Sequence, residues 1–122
     1  MKRAVYRSPT LQNPDKWHQW SDTVWECYMR YKPTRMSAGC TFSIRKHDES
    51  HGKYVPTCNG VFDFFIGDEP IPADRINKFD SFEEAANYCK RYIDWMNNVW
   101  FKKSLELDRK RLHTLRPDIY PA

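Results

Sequence analysis

No helix breaker interrupts this chain between Ser81 and Pro117, and that one stretch governs what the rest can build. It opens on a clear start signal. In Phe79-Asp80-Ser81-Phe82-Glu83-Glu84-Ala85-Ala86, either Asp80 with Glu83 or Ser81 with Glu84 has capping-box spacing. Acids also fill the first turn, where the helix dipole favours them. At ~100° per residue, Phe82, Ala85, Ala86, Cys89, Ile93, Met96 and Trp100 fall on one stripe suited to packing on a sheet. Tyr88, Tyr92, Trp95 and Val99 form a second stripe ~100° round the axis. An apolar band this wide means that the helix buries more than one side.

The length of the run sets a second constraint. A continuous helix over 82–115 would be ~50 Å long, and a small sheet with strands of ~20 Å cannot cover it. The second half therefore turns back at Asn97-Asn98 or projects. Its Leu105, Leu112 and Leu115, set among Arg109, Lys110 and Arg111, suit a second packed helix, a dimer arm or a nucleic-acid-binding arm. The second stripe is covered by the N-terminal arm with Trp17 and Trp20, or by Ile119-Tyr120-Pro121, or it stays open as a patch for a partner or a second copy.

Upstream, the period changes from helical to alternating. Over 23–32, Trp25, Cys27, Met29 and Tyr31 share one face and Glu26, Tyr28, Arg30 and Lys32 the other, a half-buried strand that Pro33 stops. A second strand over 39–46 turns Cys40, Phe42 and Ile44 inward and Thr41, Ser43 and Arg45 outward. The polar tip 47–52 is a turn by composition. Within 53–66, Asn59-Gly60 accepts the positive φ values of a type I′ hairpin, which favours two strands with 61–66 as the last. Pro70 and Pro72 then stiffen an acidic loop, the best candidate for a preformed binding loop. The expected fold is α+β: an antiparallel three- or four-stranded meander packed against a long C-terminal helix, whole or broken in two. The 122 residues make one domain, with an N-terminal arm (1–20), sheet (23–66), acidic loop (67–79) and helical region (80–116).

Charge sharpens the picture. The formal net of +4 hides nine acids against three bases over 47–84, a net of −6, which leaves +10 on the remainder. A molecule polarised in this way can meet nucleic acid on one side and a protein on the other. No uncharged apolar run approaches the ~18 residues of a membrane span. The basic start, Met1-Lys2-Arg3-Ala4-Val5-Tyr6-Arg7-Ser8-Pro9, lacks the apolar run of a secretory signal, so the expected location is the cytoplasm.

Chemistry-bearing motifs are few. Cys27, Cys40, Cys58 and Cys89 contain no Cys-x-x-Cys pair and are expected as reduced, buried residues. Cys40, His47, His51 and Cys58 lie symmetrically about Glu49, and a hairpin turning there would set Cys40 opposite Cys58 and His47 opposite His51. Seven strand residues would nonetheless hold Cys40 ~23 Å from His47, too far to share one ion. A two-histidine site at the tip is the remainder. Asp63, Asp68 and Glu69 near Lys53 resemble the raw material of a metal-dependent nuclease, but no nucleophile elbow, phosphate loop or zinc motif accompanies them. No catalytic residue, cofactor or resident metal is expected.

The order of strands and capped helix, with Phe79-Asp80-Ser81-Phe82-Glu83-Glu84-Ala85-Ala86 at the junction, resembles AP2-type and phage-integrase arm-binding domains. That resemblance implies a sheet entering the major groove with Tyr28, Arg30, Lys32, Arg45 and Lys46 facing DNA; in a DNA-binding protein the basic C-terminal helix with Arg109, Lys110 and Arg111 is a second expected contact. In size and composition the chain is also similar to accessory proteins of bacteriophages and mobile elements, including anti-CRISPR inhibitors. This second resemblance implies a non-enzymatic module that occludes a host enzyme or defence complex. Its contact surface is expected on Tyr88, Tyr92, Trp95 and Val99, on Asp68 and Glu69, or on both. A symmetric contact through the aromatic stripe would make a homodimer.

Overall fold

The computed structural model describes residues 9–31, 39–47 and 52–119. In chain order they form α1 (Pro9–Gln12), β1 (His18–Ser21), β2 (Val24–Arg30), β3 (Gly39–Lys46), β4 (Tyr54–Cys58) and α2 (Phe82–Leu115). The strands make one antiparallel sheet in the order β1-β2-β3-β4, so the α+β meander is as expected. Its fourth strand is a different one, however. β1 starts within the expected N-terminal arm (1–20) and ends one residue past it, and His18-Gln19-Trp20-Ser21 is too short to display an alternation, while 61–66 is not a strand.

Alternation placed the faces of β2 and β3 correctly. Cys27, Phe42 and Ile44 are fully buried, with Met29, Cys40 and Cys58 beside them. The β3–β4 register pairs Phe42 with Cys58 and Lys46 with Tyr54, two residues away from the symmetric hairpin. A two-residue shift keeps every side chain on its face while changing its partner, so the faces survived the error in register. The tip 48–51, with His51, lies outside the described residues.

α2 starts at the Ser81/Glu84 alternative of the two capping boxes. Ser81 Oγ accepts the Glu84 N–H at 3.2 Å, and Glu84 Oε2 reaches back to the Asp80 N–H at 3.3 Å. The first turns of α2 then bury Ala85, Cys89 and Ile93 against the sheet. Trp17 closes this end of the core, edge-on to Phe82 with ring centres 5.4 Å apart, whereas Trp20 is exposed.

Among the described residues, the second stripe is covered by the segment that follows β4; Tyr120 and Pro121 lie outside them. Asn59 (φ 50°) and Gly60 (φ 81°) do make a tight turn, closed by reciprocal Cys58–Val61 backbone bonds of 2.9 Å. Pairing ends there. The chain leaves the sheet and lays Phe64 and Ile66 over α2 instead. Tyr88 Oη donates to the Phe64 carbonyl at 3.2 Å and accepts the Ile66 N–H at 3.3 Å, and Asn77 Nδ2 gives the same carbonyl a second donor at 3.2 Å. Phe64 also meets the ring of Tyr92 at 5.0 Å. Farther along, a Cβ on Gly67 would stand 3.0 Å from the Trp95 indole, so any larger residue would require the indole to give way by a few tenths of an ångström. As a strand, 61–66 would bury one face on the sheet and leave Tyr88 bare. Crossing to the helix satisfies both.

α2 runs unbroken through Asn97 and Asn98. The sheet and the 61–67 segment cover its first half, and from Asn98 onward every described side chain on it is exposed except the half-buried His113. No helix among the described residues is long and apolar enough to cross a membrane.

The Tyr88 clamp can be tested by Tyr88→Phe. The substitution leaves the buried Ile66 N–H without an acceptor, which costs about 1–3 kcal/mol. Urea unfolding followed by tryptophan fluorescence should show a lower midpoint at unchanged slope.

Candidate functional site

The outer face of the sheet does not gather the bases assigned to it. Tyr28, Arg30 and Arg45 share that face, but Lys46 falls on the opposite one, its ammonium 5.5 Å from the centre of the Tyr54 ring. This corrects the expectation that Arg45 and Lys46 act together, since neighbours along a strand point to opposite faces. Lys32 lies outside the described residues. Arg45 pairs with Val24, six residues along β2 from Arg30, so the two arginines stand ~20 Å apart.

Arg30 is also neutralised. Asp15 Oδ2 accepts from its Nε at 3.1 Å and its Nη2 at 2.8 Å, and Asp15 Oδ1 accepts the Arg30 backbone N–H at 3.1 Å. The Asp15 N–H in turn donates to the Tyr28 carbonyl at 2.6 Å. Asp15 adopts the left-handed conformation (φ 67°) to do this. It closes the edge of β2 where pairing with β1 has ended at Glu26, a protection of the kind exposed strands need. Asn13-Pro14-Asp15 marks a turn in the sequence, but nothing local announces its bond to a strand fifteen residues away. A cleft of about 460 Å³ runs beside this latch, lined by Asp15, Trp17, Met29, Arg30, Lys90 and Asp94 among others. Its rim sets two bases against two acids and so has no net pull on an anion.

The acidic loop is stapled to its own surroundings. Glu69 pairs with Arg91 on α2, Asp80 with Lys53, Asp63 with Arg75 at 3.8 Å and Asp74 with Lys78 at 2.8 Å. The Lys78 hydrogen bond, with the Ile76 N–H behind it, holds the Asp74 carboxyl below its usual range. Such exposed pairs contribute little stability each, but one of them commits Glu69, which was expected to meet a partner, to Arg91. Asp68 is exposed. Among the described residues no three His, Cys, Asp or Glu side chains converge to hold a metal.

Of the second stripe, Tyr88 is 4% exposed and serves the core, which corrects its assignment to a partner surface. Tyr92 and Trp95 are half-buried against the same core, and Val99 is exposed. Among the described residues, what remains uncovered is the distal half of α2. Arg109, Lys110 and Arg111 are exposed there, and so are Leu105, Leu107, Leu112 and Leu115, at 38–64%. The sixteen residues from Cys89 to Leu105 turn the helix through ~1600°, which puts Leu105 ~160° round from the sheet-facing Cys89. Leu112 lies within ~20° of Leu105, and Leu115 within ~80°. Leu105 and Leu112 therefore point away from the sheet, and Leu115 lies to their flank, ~80° round from Cys89. The same arithmetic was available from the sequence, where the leucines showed themselves but their direction depended on the helix staying whole.

The four cysteines are free thiols in the core. Cys40 Sγ lies 3.0 Å from Tyr31 Oη. The Cys58 hydrogen bond, aided by Tyr31, holds the Cys40 thiol below its ordinary range against the effect of burial, and Cys58 is pushed up in return. Burial, with the Asp15 charge adding, pushes Cys27 up to about 12, and burial raises Cys89 as well. Comparison with known protein families, curated proteins and solved structures finds no match for the chain.

The raised thiols give stability a definite alkaline limit. Below their ordinary value of 9.0 they are protonated folded and unfolded alike. Above it the unfolded chain releases protons that folded Cys27 and Cys89 retain, so each thiol costs up to about 1.4 kcal/mol per pH unit. Urea midpoints should fall as pH rises from 9 towards 12, and less steeply in Cys27→Ala. A slope that Cys27→Ala leaves unchanged would exclude Cys27 as a source.

Proposed function

We propose that this chain is a non-enzymatic protein-binding module that engages its partner through the distal half of α2. The observation that carries this reading is the exposed leucine stripe of Leu105, Leu112 and Leu115 on the half of the helix that the chain's own sheet does not cover. An isolated helix of this length is marginal in water. Here the arm is propagated from a packed base, which removes the cost of nucleation. The outcome is an ordered arm held clear of a compact body, the form suited to entering a cleft and occluding it, as an accessory protein or inhibitor acting on a host enzyme or defence complex would. Four free thiols suit a reducing, cytoplasmic setting.

A DNA-binding reading draws on one observation, the six bases between Lys102 and Arg116. It would now rest on Arg109, Lys110 and Arg111 more than on the sheet, and it leaves the leucines without a role. Affinity capture from cell lysate separates the two readings. The full-length chain should retain a protein through a high-salt wash, and the Leu105→Asp/Leu112→Asp variant, altered only at exposed positions, should lose it. Recovery of nucleic acid alone, released by salt, would contradict the proposal.

A further inference from the structure

Resting on the reading of the arm as the docking element, we infer that it is the basic half of a heterotypic helix pair. Its partner segment is an acidic amphipathic helix that packs apolar side chains on Leu105, Leu112 and Leu115 and sets carboxylates against Lys102, Arg109 and Arg111. The spacing carries the first part. Leu105 and Leu112 are one heptad apart and Leu115 follows three residues later, the a, a and d positions of a coiled-coil seam. All three are exposed, at 45%, 38% and 64%. The arm over 98–115 is ~27 Å long, enough for about two and a half heptads.

The flanks carry the second part. Lys102 and Arg109 occupy e positions and Arg111 a g position, the places that choose a coiled-coil partner by charge. None of the three makes an ion pair among the described residues. Over 98–116 six bases stand against two acids, a net of +4. A second copy of the arm would bring like charges together along both flanks in either orientation, so charge selects against self-pairing and for a partner rimmed with carboxylates. Asp108 completes the pattern. It occupies the d position between Leu105 and Leu112 and is exposed. A polar group at one seam position fixes register at a cost in stability, so the matching helix carries a base there. A carboxylate in the middle of the stripe is also poorly suited to lying in an apolar bilayer surface.

The probe is a synthetic helix of about three heptads with Leu at its core positions, Glu at its flanks and one central Lys. Because Asp108 lies near the middle of the arm, that Lys faces it in either orientation. A control peptide carries Lys at the flanks instead. By calorimetry, the full-length chain should bind the acidic peptide and not the basic one. Leu105→Asp/Leu112→Asp and Arg109→Glu/Arg111→Glu should each weaken binding at least about tenfold, with far-UV and near-UV circular dichroism unchanged. Asp108→Leu should strengthen binding to an otherwise identical peptide bearing Leu at the centre.

Equal binding of the two peptides, binding of neither, or tighter binding of a duplex DNA than of the acidic peptide overturns the inference. So does self-association of the wild type that Leu105→Asp/Leu112→Asp abolishes. If lysate capture depends on Leu105 and Leu112 while the acidic peptide neither binds nor competes, the docking arm stands and the acidic-helix partner falls. If capture is indifferent to those leucines, the docking arm itself falls.

Discussion

The structure depends on covering a helix whose apolar band is wider than a sheet can cover. The sheet takes the side bearing Ala85, Cys89 and Ile93. The side bearing Tyr88, Tyr92 and Trp95 is taken by the chain that follows β4, and the polar rim of Tyr88 decides how. A buried phenol needs partners, and the carbonyl of Phe64 with the N–H of Ile66 supplies them only if the segment abandons strand pairing after Val61. One hydroxyl thus sets the path of the loop, the close pass of Gly67 over Trp95 and the rigidity of the helix base from which the arm is propagated.

Charge follows the same axis. Glu83 and Glu84 fill the first turn of α2, at the positive end of its dipole, and Arg116 lies at the negative end, whereas Glu69 sits beside Arg91 farther along the helix. The dipole therefore accounts for part of the separation between −6 and +10. It does not account for Lys102 and Arg109 flanking a leucine stripe. At the acidic end the charges are consumed locally, by Lys53, Arg75, Lys78 and Arg91, and at the basic end they are not.

Much of the fold was legible because it rests on short-range rules. The alternation of Trp25, Cys27 and Met29, the start at Ser81 and the turn at Asn59-Gly60 each depend on a few adjacent residues. What was hidden depends on distant partners. β1 is too short to carry a period, and Asp15 closes the edge of β2 through a left-handed turn. The segment 61–66 has the composition of a strand, and only the hydroxyl of Tyr88, more than twenty residues on, draws it away. For the candidate site, burial removed Tyr88 and ion pairing removed Arg30 and Glu69, neither of which one-dimensional patterns report. The leucines of the arm were visible in the sequence, but which side of the molecule they face required α2 to remain unbroken at Asn97-Asn98.

The central claim is that α2 is one helix with a packed base and an arm that no other described part of the chain covers. Native-state amide hydrogen exchange tests it residue by residue. Amides over 86–97 should exchange only with global unfolding, and protection should step down after Asn98, with 102–115 helical yet exchanging orders of magnitude faster. Uniform protection along the whole of α2 would contradict the account, because it would mean that the leucine stripe is already buried.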